Sequence, residues 1–324
     1  MKAAIYERYG PPEVVEVRDV PKPQPGAGEV LIRVHATTVT TADWRARSLE
    51  MPAGFGTLGR LVFGVRGPRK QILGSEVAGV VEAVGEGVTR SRVGDEVFAF
   101  DGYGMGGHAE YKRMRETGPI ARKPANLSFE EAAALSFGGT TALHFLRKAK
   151  LQSGERVLVN GASGGVGTAV VQIARHLGAD VTAVCSAANA DLVRSLGAQR
   201  VIDYTTQDFA ASGESWDVIV DTVGTAPYAR SRRALREGGR LLLVLAPLSG
   251  LLGALWVSMT TRHKVIAGPA PERPEDLRAL AEMAEQGAYR PFIDRTFRLD
   301  QIVDAHRLVD SGRKRGNVVV TVLE

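Results

Sequence analysis

Several things are scarce in this chain, and each scarcity excludes something. Cys185 is the only cysteine in 324 residues, so neither an intrachain disulfide nor a zinc site built from several thiolates is available. Aromatic side chains are 6% of the total, too few to supply stacking platforms beside the arginine clusters near residues 230–240 and 313–315. Those clusters read as solvated faces, and no nucleic-acid partner is expected. The 41 Lys and Arg against 36 Asp and Glu leave a net charge of +5, a mild excess that favours anionic ligands without demanding them. The opening residues, MKAAIYERYGPPEVVEV, lack the apolar core of a secretory signal, and a cytoplasmic location is expected. One run of 19 residues, 241–259, carries no charge and approaches the length of a membrane span. Pro247, Ser249, Gly250 and Gly253 divide it into a short strand, a loop and an apolar helix. A helix packed at a subunit interface or against another domain fits that pattern better, so neither a membrane span nor a membrane partner is expected.

What is present falls into two textures. Up to about residue 111, short alternating apolar runs such as 30–34 and 78–84 are punctuated by Gly and Pro turns, the pattern of β-structure. Residues 54–70 hold five glycines and several basic residues around Leu61, Val62 and Phe63, and read as a loop, either a surface excursion or a lid. After Pro124, helix-like and strand-like segments alternate from 128 to 245, as in a parallel sheet with helices on both faces. A helix over 228–235 is part of that series. The final segment gives a helix over 275–285, a turn at 297–300, a helix over 302–311 and a closing strand over 317–323. That last strand is expected to return to the first domain.

The strongest motif is residues 156–172, RVLVNGASGGVGTAVVQ. An apolar β-run leads into Gly161, Ser163, Gly164, Gly165, Val166 and Gly167, and an amphipathic helix follows. Glycines there let the main chain turn sharply and approach a pyrophosphate, and the new helix aims free N–H groups at it. Placed between strand and helix, the pattern points to a dinucleotide. The following strand, 181–185, ends at Ser186, Ala187, Ala188 and Asn189, with no carboxylate to hold a ribose 2′-hydroxyl. Ser186 and Asn189 can instead donate to a 2′-phosphate, so NADP(H) is favoured over NAD(H).

Taken in order, the segments Gly28–Val34, Gly74–Val81, Val93–Val97, Gly107–Tyr111, Gly139–Ala142, Gly161–Gly167, Val201–Tyr204, Asp217–Asp221 and Gly316–Val319 carry a wider likeness. With them the chain resembles the medium-chain dehydrogenase/reductase superfamily, in its zinc-independent quinone oxidoreductase (zeta-crystallin-like) branch. The resemblance implies an α/β fold: a GroES-like β-rich domain over 1–124, completed by 270–324, and a Rossmann doubly wound parallel sheet over 125–269. It implies hydride transfer from NADPH to a small-molecule quinone or α,β-unsaturated carbonyl, without zinc, in a homodimer. The zinc ligands of alcohol dehydrogenases in the superfamily fall at Thr40, Ser75 and near Phe137, none of which is a zinc-binding residue type. Carried over residue by residue, Gly161, Ser163, Gly164, Gly165, Val166 and Gly167 cradle the pyrophosphate, and Ser186, Asn189 and Tyr204 face the 2′-phosphate. Thr141, Val223, Gly224 and Leu245 line the riboses or nicotinamide, and Arg315 and Asn317 lie in the returning segment near the cofactor. Thr40 stands where many relatives carry Asn, and with Trp44 it is expected to line the substrate pocket. No proton donor is nameable. The alternative is an NADPH-binding structural or regulatory protein with little turnover.

Overall fold

A computed structural model describes residues 1–323. The chain divides into two compact units, one formed by residues 1–51, 56–137 and 272 onward, the other by 52–55 and 138–271. The change from one to the other falls within a helix, later than the change of texture after Pro124. The helix before it, at residues 129–133, packs on the strands of the first unit.

In chain order, the first unit begins with β1 (Lys2–Ile5), β2 (Glu16–Asp19), β3 (Glu29–Val39), α1 (Thr41–Ser48) and α2 (Gly56–Phe63). It continues through β4 (Glu76–Val84), β5 (Glu96–Phe100), β6 (Tyr111–Arg115), β7 (Ile120–Arg122) and α3 (Phe129–Ala133). Helix α4 (Ser136–Ala149) leads into the second unit. There follow β8 (Arg156–Asn160), α5 (Gly165–His176), β9 (Asp180–Cys185), α6 (Ala190–Ser195), β10 (Arg200–Asp203), β11 (Trp216–Asp221), α7 (Tyr228–Ser231), β12 (Leu235–Leu243), α8 (Leu248–Thr260) and β13 (Lys264–Ala267). The chain then supplies α9 (Pro274–Glu285), β14 (Ile293–Arg298), α10 (Ile302–Asp310) and β15 (Asn317–Thr321) to the first unit.

The first unit is built on a seven-stranded sheet ordered β14-β15-β3-β4-β5-β7, with β6 also pairing β3. Strand β15 runs antiparallel to β3, with Val319 opposite Thr38, so the C-terminal strand does return. Its core includes Val30, Ile32, Val34, Val77 and Val81, apolar residues that the period of two turns to one face.

The second unit is an all-parallel six-stranded sheet, β10-β9-β8-β11-β12-β13, its strands joined through helices except β10 to β11, where a 3₁₀ turn intervenes, the doubly wound Rossmann arrangement. Its inner strands read as continuous apolar runs because both faces are covered: Val157, Leu158, Val159, Val218, Ile219 and Val220 are all fully buried. Order reverses between β8 and β11, which makes their carboxyl ends the switch point where such sheets hold ligands.

Four local expectations are corrected. The part up to residue 111 is not β-structure alone: α1 is started by a capping box in which Thr40 and Asp43 satisfy each other's backbone N–H groups. Residues 56–63 are a helix and not a loop, despite two glycines. Gly59 is buried where a Cβ would lie 2.6 Å from Met51, and Phe63 packs on the core, so packing overrides weak propensity. The turn expected at 297–300 starts later, because Phe297 is already paired with Val320 in β14–β15 and a 3₁₀ turn follows at Leu299–Gln301. The helix expected over 228–235 stops at Ser231, since Leu235 already pairs with Trp216. Among the described residues no helix is long and apolar enough to cross a membrane, and the run 241–259 divides between β12 and α8.

Candidate functional site

The second unit's site is built at the end of β8. Gly161 takes φ +79°, a conformation that only glycine adopts without strain, and its own N–H and that of Ala162 donate to Val184 O at 3.2 and 3.1 Å. A Cβ on Gly161 would lie 2.5 Å from Val223 Cγ1, and one on Gly167 would lie 2.1 Å from Gly161 O. The first turn of α5 therefore lies directly against the strand end, an approach that no larger residue permits. Gly164 is the N-cap of α5 and offers no side chain to the helix N–H groups, which leaves Gly165, Val166 and Gly167 uncapped by any side chain. Gly164 and Gly165 are part-exposed. That is an anion cradle in the sense of free donors and the positive end of a helix.

Three polar side chains meet beside it. Asn189 Nδ2 donates to Ser163 Oγ at 3.2 Å and to Ser186 Oγ at 3.3 Å, so the turn after β8 and the turn after β9 are joined at their tips. The tip of β9 carries no carboxylate. Tyr204 follows β10, donates its N–H to Cys185 O at 3.2 Å and is 62% exposed. Cys185 is buried, and burial pushes its thiol up to about 11, which keeps it protonated at neutral pH.

On the other side of the switch point, Gly161, Val223, Gly224 and Leu245 converge: a Cβ on Gly224 would contact Leu245 Cδ2 at 3.5 Å. Thr141 is nearly buried in α4, whose Gly138 would bring a Cβ within 2.7 Å of Gly165 O. The structure thus gathers Gly161, Ser163, Gly164, Gly165, Val166, Gly167, Ser186, Asn189, Val223, Gly224 and Leu245 around the ends of β8, β9, β11 and β12.

A latch missed in the sequence holds this gathering together. Asp221, 1% exposed at the end of β11, accepts from Asn160 Nδ2 at 2.9 Å, from the N–H groups of Val223 (3.2 Å) and Gly224 (3.0 Å), and from Ala226 N at 2.8 Å. Asn160 Nδ2 also donates to Thr225 Oγ1, and Thr222 Oγ1 donates to Asn160 O at 2.8 Å. One carboxylate therefore fixes both turns that flank the switch point. Its signal was a polar residue closing each of two apolar strands, Asn160 and Asp221.

In the first unit, Thr40 is 5% exposed, and its hydroxyl donates to Asp43 Oδ2 at 2.6 Å. Trp44 packs part-buried against the core and carries Arg45 over its ring. Arg315 is held by Asp294, through its backbone N–H at 3.0 Å and Nε at 3.2 Å. The Asn317 amide donates to Phe292 O at 3.1 Å. Neither of these last two side chains is idle.

Close to Thr40 lies a second cluster the sequence did not reveal. Asp43 accepts from Gly74 N at 2.9 Å. Next to it, fully buried Glu76 accepts from the Thr38 hydroxyl and from Phe137 N. Burial pushes the Glu76 carboxyl up to about 7, against those two hydrogen bonds. Burial likewise pushes the Lys314 ammonium down to about 8, opposed by the charges of Glu76 and Asp294. These elements bring Thr40, Ser75 and Phe137 to neighbouring positions, and they provide a hydroxyl already donated to Asp43, a buried serine hydroxyl and a phenyl ring. That donor set does not fit zinc, and no group of three or more His, Cys, Asp or Glu assembles among the described residues.

A glycine-lined turn at the switch point of a doubly wound sheet is the architecture of dinucleotide-binding proteins. Comparison with known proteins narrows the class. Residues 26–125 match the alcohol dehydrogenase GroES-like domain, and residues 196–320 match a family described as zinc-binding dehydrogenase. The chain is 34% identical to 2-methylene-furan-3-one reductase of Solanum lycopersicum, over 99% of this chain and 79% of that protein. It is 31% identical to a chloroplastic quinone oxidoreductase of Triphysaria versicolor, over 99% and 98%. The solved structure of the quinone oxidoreductase from Coxiella burnetii superposes with a TM-score of 0.88 at 29% identity, covering 100% of this chain and 99% of that one. The chain belongs to the medium-chain dehydrogenase/reductase superfamily, in its quinone oxidoreductase branch. It is an oxidoreductase with a Rossmann unit and a GroES-like unit.

Proposed function

We propose that this protein is a zinc-free, NADPH-dependent reductase of quinones or α,β-unsaturated carbonyls. The observation that carries the reading is the uncapped, glycine-cradled start of α5 with Ser163, Ser186 and Asn189 clustered beside it and no carboxylate at the β9 tip. The residues fit a dinucleotide: Gly161 to Gly167 hold the pyrophosphate with main-chain N–H groups, and Ser186, Asn189 and Tyr204 accommodate a 2′-phosphate. Val223, Gly224, Leu245 and Thr141 line the riboses or nicotinamide, and Arg315 and Asn317 belong to the segment that approaches the cofactor in the family. When bound, the reduced nicotinamide supplies a hydride, and the protein contributes position and exclusion of water. A quinone ring or an enone Cβ accepts hydride without a Lewis acid, and this agrees with a donor set at Thr40, Ser75 and Phe137 that is unsuited to zinc.

Thr40 and Trp44 are assigned to the substrate pocket. The Thr40 hydroxyl already donates to Asp43, and this favours one further reading, a nucleotide-binding protein of low turnover. The two are separated by following NADPH and NADH oxidation with a panel of quinones and 2-alkenals, with and without a chelator. Faster NADPH oxidation that a chelator leaves unchanged supports the reductase. Tight NADPH binding with no acceptor turned over supports the second reading.

We also assign the protein to a homodimer. Strand β13 is an open sheet edge, and the adjoining α8 leaves Leu252, Leu255, Trp256 and Met259 65–85% exposed. Sedimentation of the wild type and of Trp256→Glu tests this, with the wild type expected at twice the chain mass and the variant at once.

A further inference from the structure

We infer that α2 and the turn after it form a docking surface for anionic lipid. Independently of which acceptor the enzyme reduces, this would bring it onto membranes as a peripheral protein, and it revises the expectation of no membrane partner. One face of α2 is anchored: Gly59 lies against Met51, and Phe63 packs on the first unit's core. The turn beyond is fixed as well, with Gly64 at φ +132°, Tyr9 Oη donating to Gly64 O at 2.8 Å and Arg69 N donating to Phe63 O at 2.8 Å. The other face is bare. Leu58, Leu61 and Val62, spaced i, i+3, i+4, are 52%, 55% and 46% exposed, and Val65 just beyond them is 58% exposed. Single exposed apolar residues need no explanation, but four from one eight-residue helix and its turn do.

Charge identifies the occupant. Arg60, Arg66, Arg69 and Lys70 are all exposed, and among the described residues none of them forms an ion pair. Elsewhere exposed arginines in ion pairs, such as Arg18, Arg200, Arg230 and Arg307, alternate with unpaired ones such as Arg232 and Arg233, but here all four cations around one apolar face are unpaired. Glu7, whose backbone carbonyl lies near Gly67, is itself engaged by Arg18. Unpaired cations around a short exposed apolar face are complementary to anionic headgroups over acyl chains. A second copy of this chain would bring the same cations against one another.

The test is flotation of the full chain with vesicles of phosphatidylcholine alone, or with roughly 30% phosphatidylserine added. Binding to the anionic vesicles is expected, weakening as salt rises from about 0.1 to about 0.5 M. Leu61→Ser/Val62→Ser, and separately Arg66→Gln/Arg69→Gln/Lys70→Gln, should each lower the partition coefficient by about tenfold or more. All of these side chains are exposed, so circular dichroism and melting midpoint should stay at wild-type values. Absence of binding, equal binding to neutral vesicles, or binding that both variants leave unchanged would overturn the inference. So would conversion of an oligomer to monomer by Leu61→Ser/Val62→Ser, which would make the face a contact between copies.

Discussion

Replacing Asp221 by alanine should both loosen the second unit and weaken nucleotide binding. The carboxylate is 1% exposed and accepts four hydrogen bonds, from Asn160 Nδ2 and from the backbone of Val223, Gly224 and Ala226. Removing the acceptor leaves those donors facing a cavity. Each buried donor left without a partner costs about 1–3 kcal/mol, but water entering the exposed turn at Val223 and Gly224 relieves two of the four. The remaining pair, Asn160 Nδ2 and Ala226 N–H, sets a loss of roughly 2–6 kcal/mol. For a unit of this size that lowers the melting midpoint by very roughly 5–15 °C. Asp221→Asn keeps one acceptor oxygen but turns an amide NH₂ toward one of the donors, so an intermediate loss is expected. Because the same carboxylate holds the turns after β8 and β11, the affinity for NADPH should fall together with stability. Calorimetric melting and NADPH titration of the wild type and both variants provide the assay. A melting midpoint within about 2 °C of wild type for Asp221→Ala would refute the reasoning, since it would mean that the four bonds hold nothing.

Two buried titratable groups, Glu76 and His306, make stability depend on pH. Glu76 has its folded pKa raised by burial from 4.5 to about 7, so the stability it contributes is fully present below about pH 4.5 and is lost as pH rises through 7. Glu76→Gln removes that dependence. The melting midpoint of the variant relative to wild type should therefore rise between pH 5 and pH 8, by the equivalent of up to ~3 kcal/mol; a constant difference across that range would contradict it. His306 lies fully buried 5.6 Å from His108, with both ring nitrogens unpartnered, and burial holds its pKa well below the ordinary 6.5. The unfolded chain then takes up a proton that the folded one does not, so stability falls as pH drops below about 6.5. His306→Leu should flatten that acid limb in denaturant titrations, and an unchanged slope would show that His306 is not its source.

The nucleotide cradle was legible because its signal is local. A β-run, a glycine cluster and an amphipathic helix follow one another within residues 156–172, and each has its own short-range cause. The alternation that built the doubly wound sheet was local too. What escaped was set by partners remote in sequence. Asn160 meets Asp221 61 positions away, and Glu76 reaches Phe137 across a similar span. Lys314 influences Glu76 only because the closing strand returns to β3. Helix α2 was missed for a related reason: its glycines argue against a helix, and only the fit of Gly59 on Met51 and of Phe63 on the core holds it. Helix α1 had a readable sign in the Thr40–Asp43 spacing, and the surrounding β-texture outweighed it.

Gly164 offers the most direct test of a dinucleotide at the start of α5. Its backbone, φ −80° and ψ 174°, suits a β-branched residue, and a Cβ there would meet only Gly161 O at an ordinary 3.6 Å. Gly164→Val should therefore melt within about 2 °C of wild type while its side chain fills the space over the helix N-terminus. Titration calorimetry should then show NADPH binding weakened by about a hundredfold or more, the loss of several main-chain hydrogen bonds to charged oxygens. A stable Gly164→Val protein that binds NADPH as tightly as wild type would contradict the assignment of that turn to the pyrophosphate.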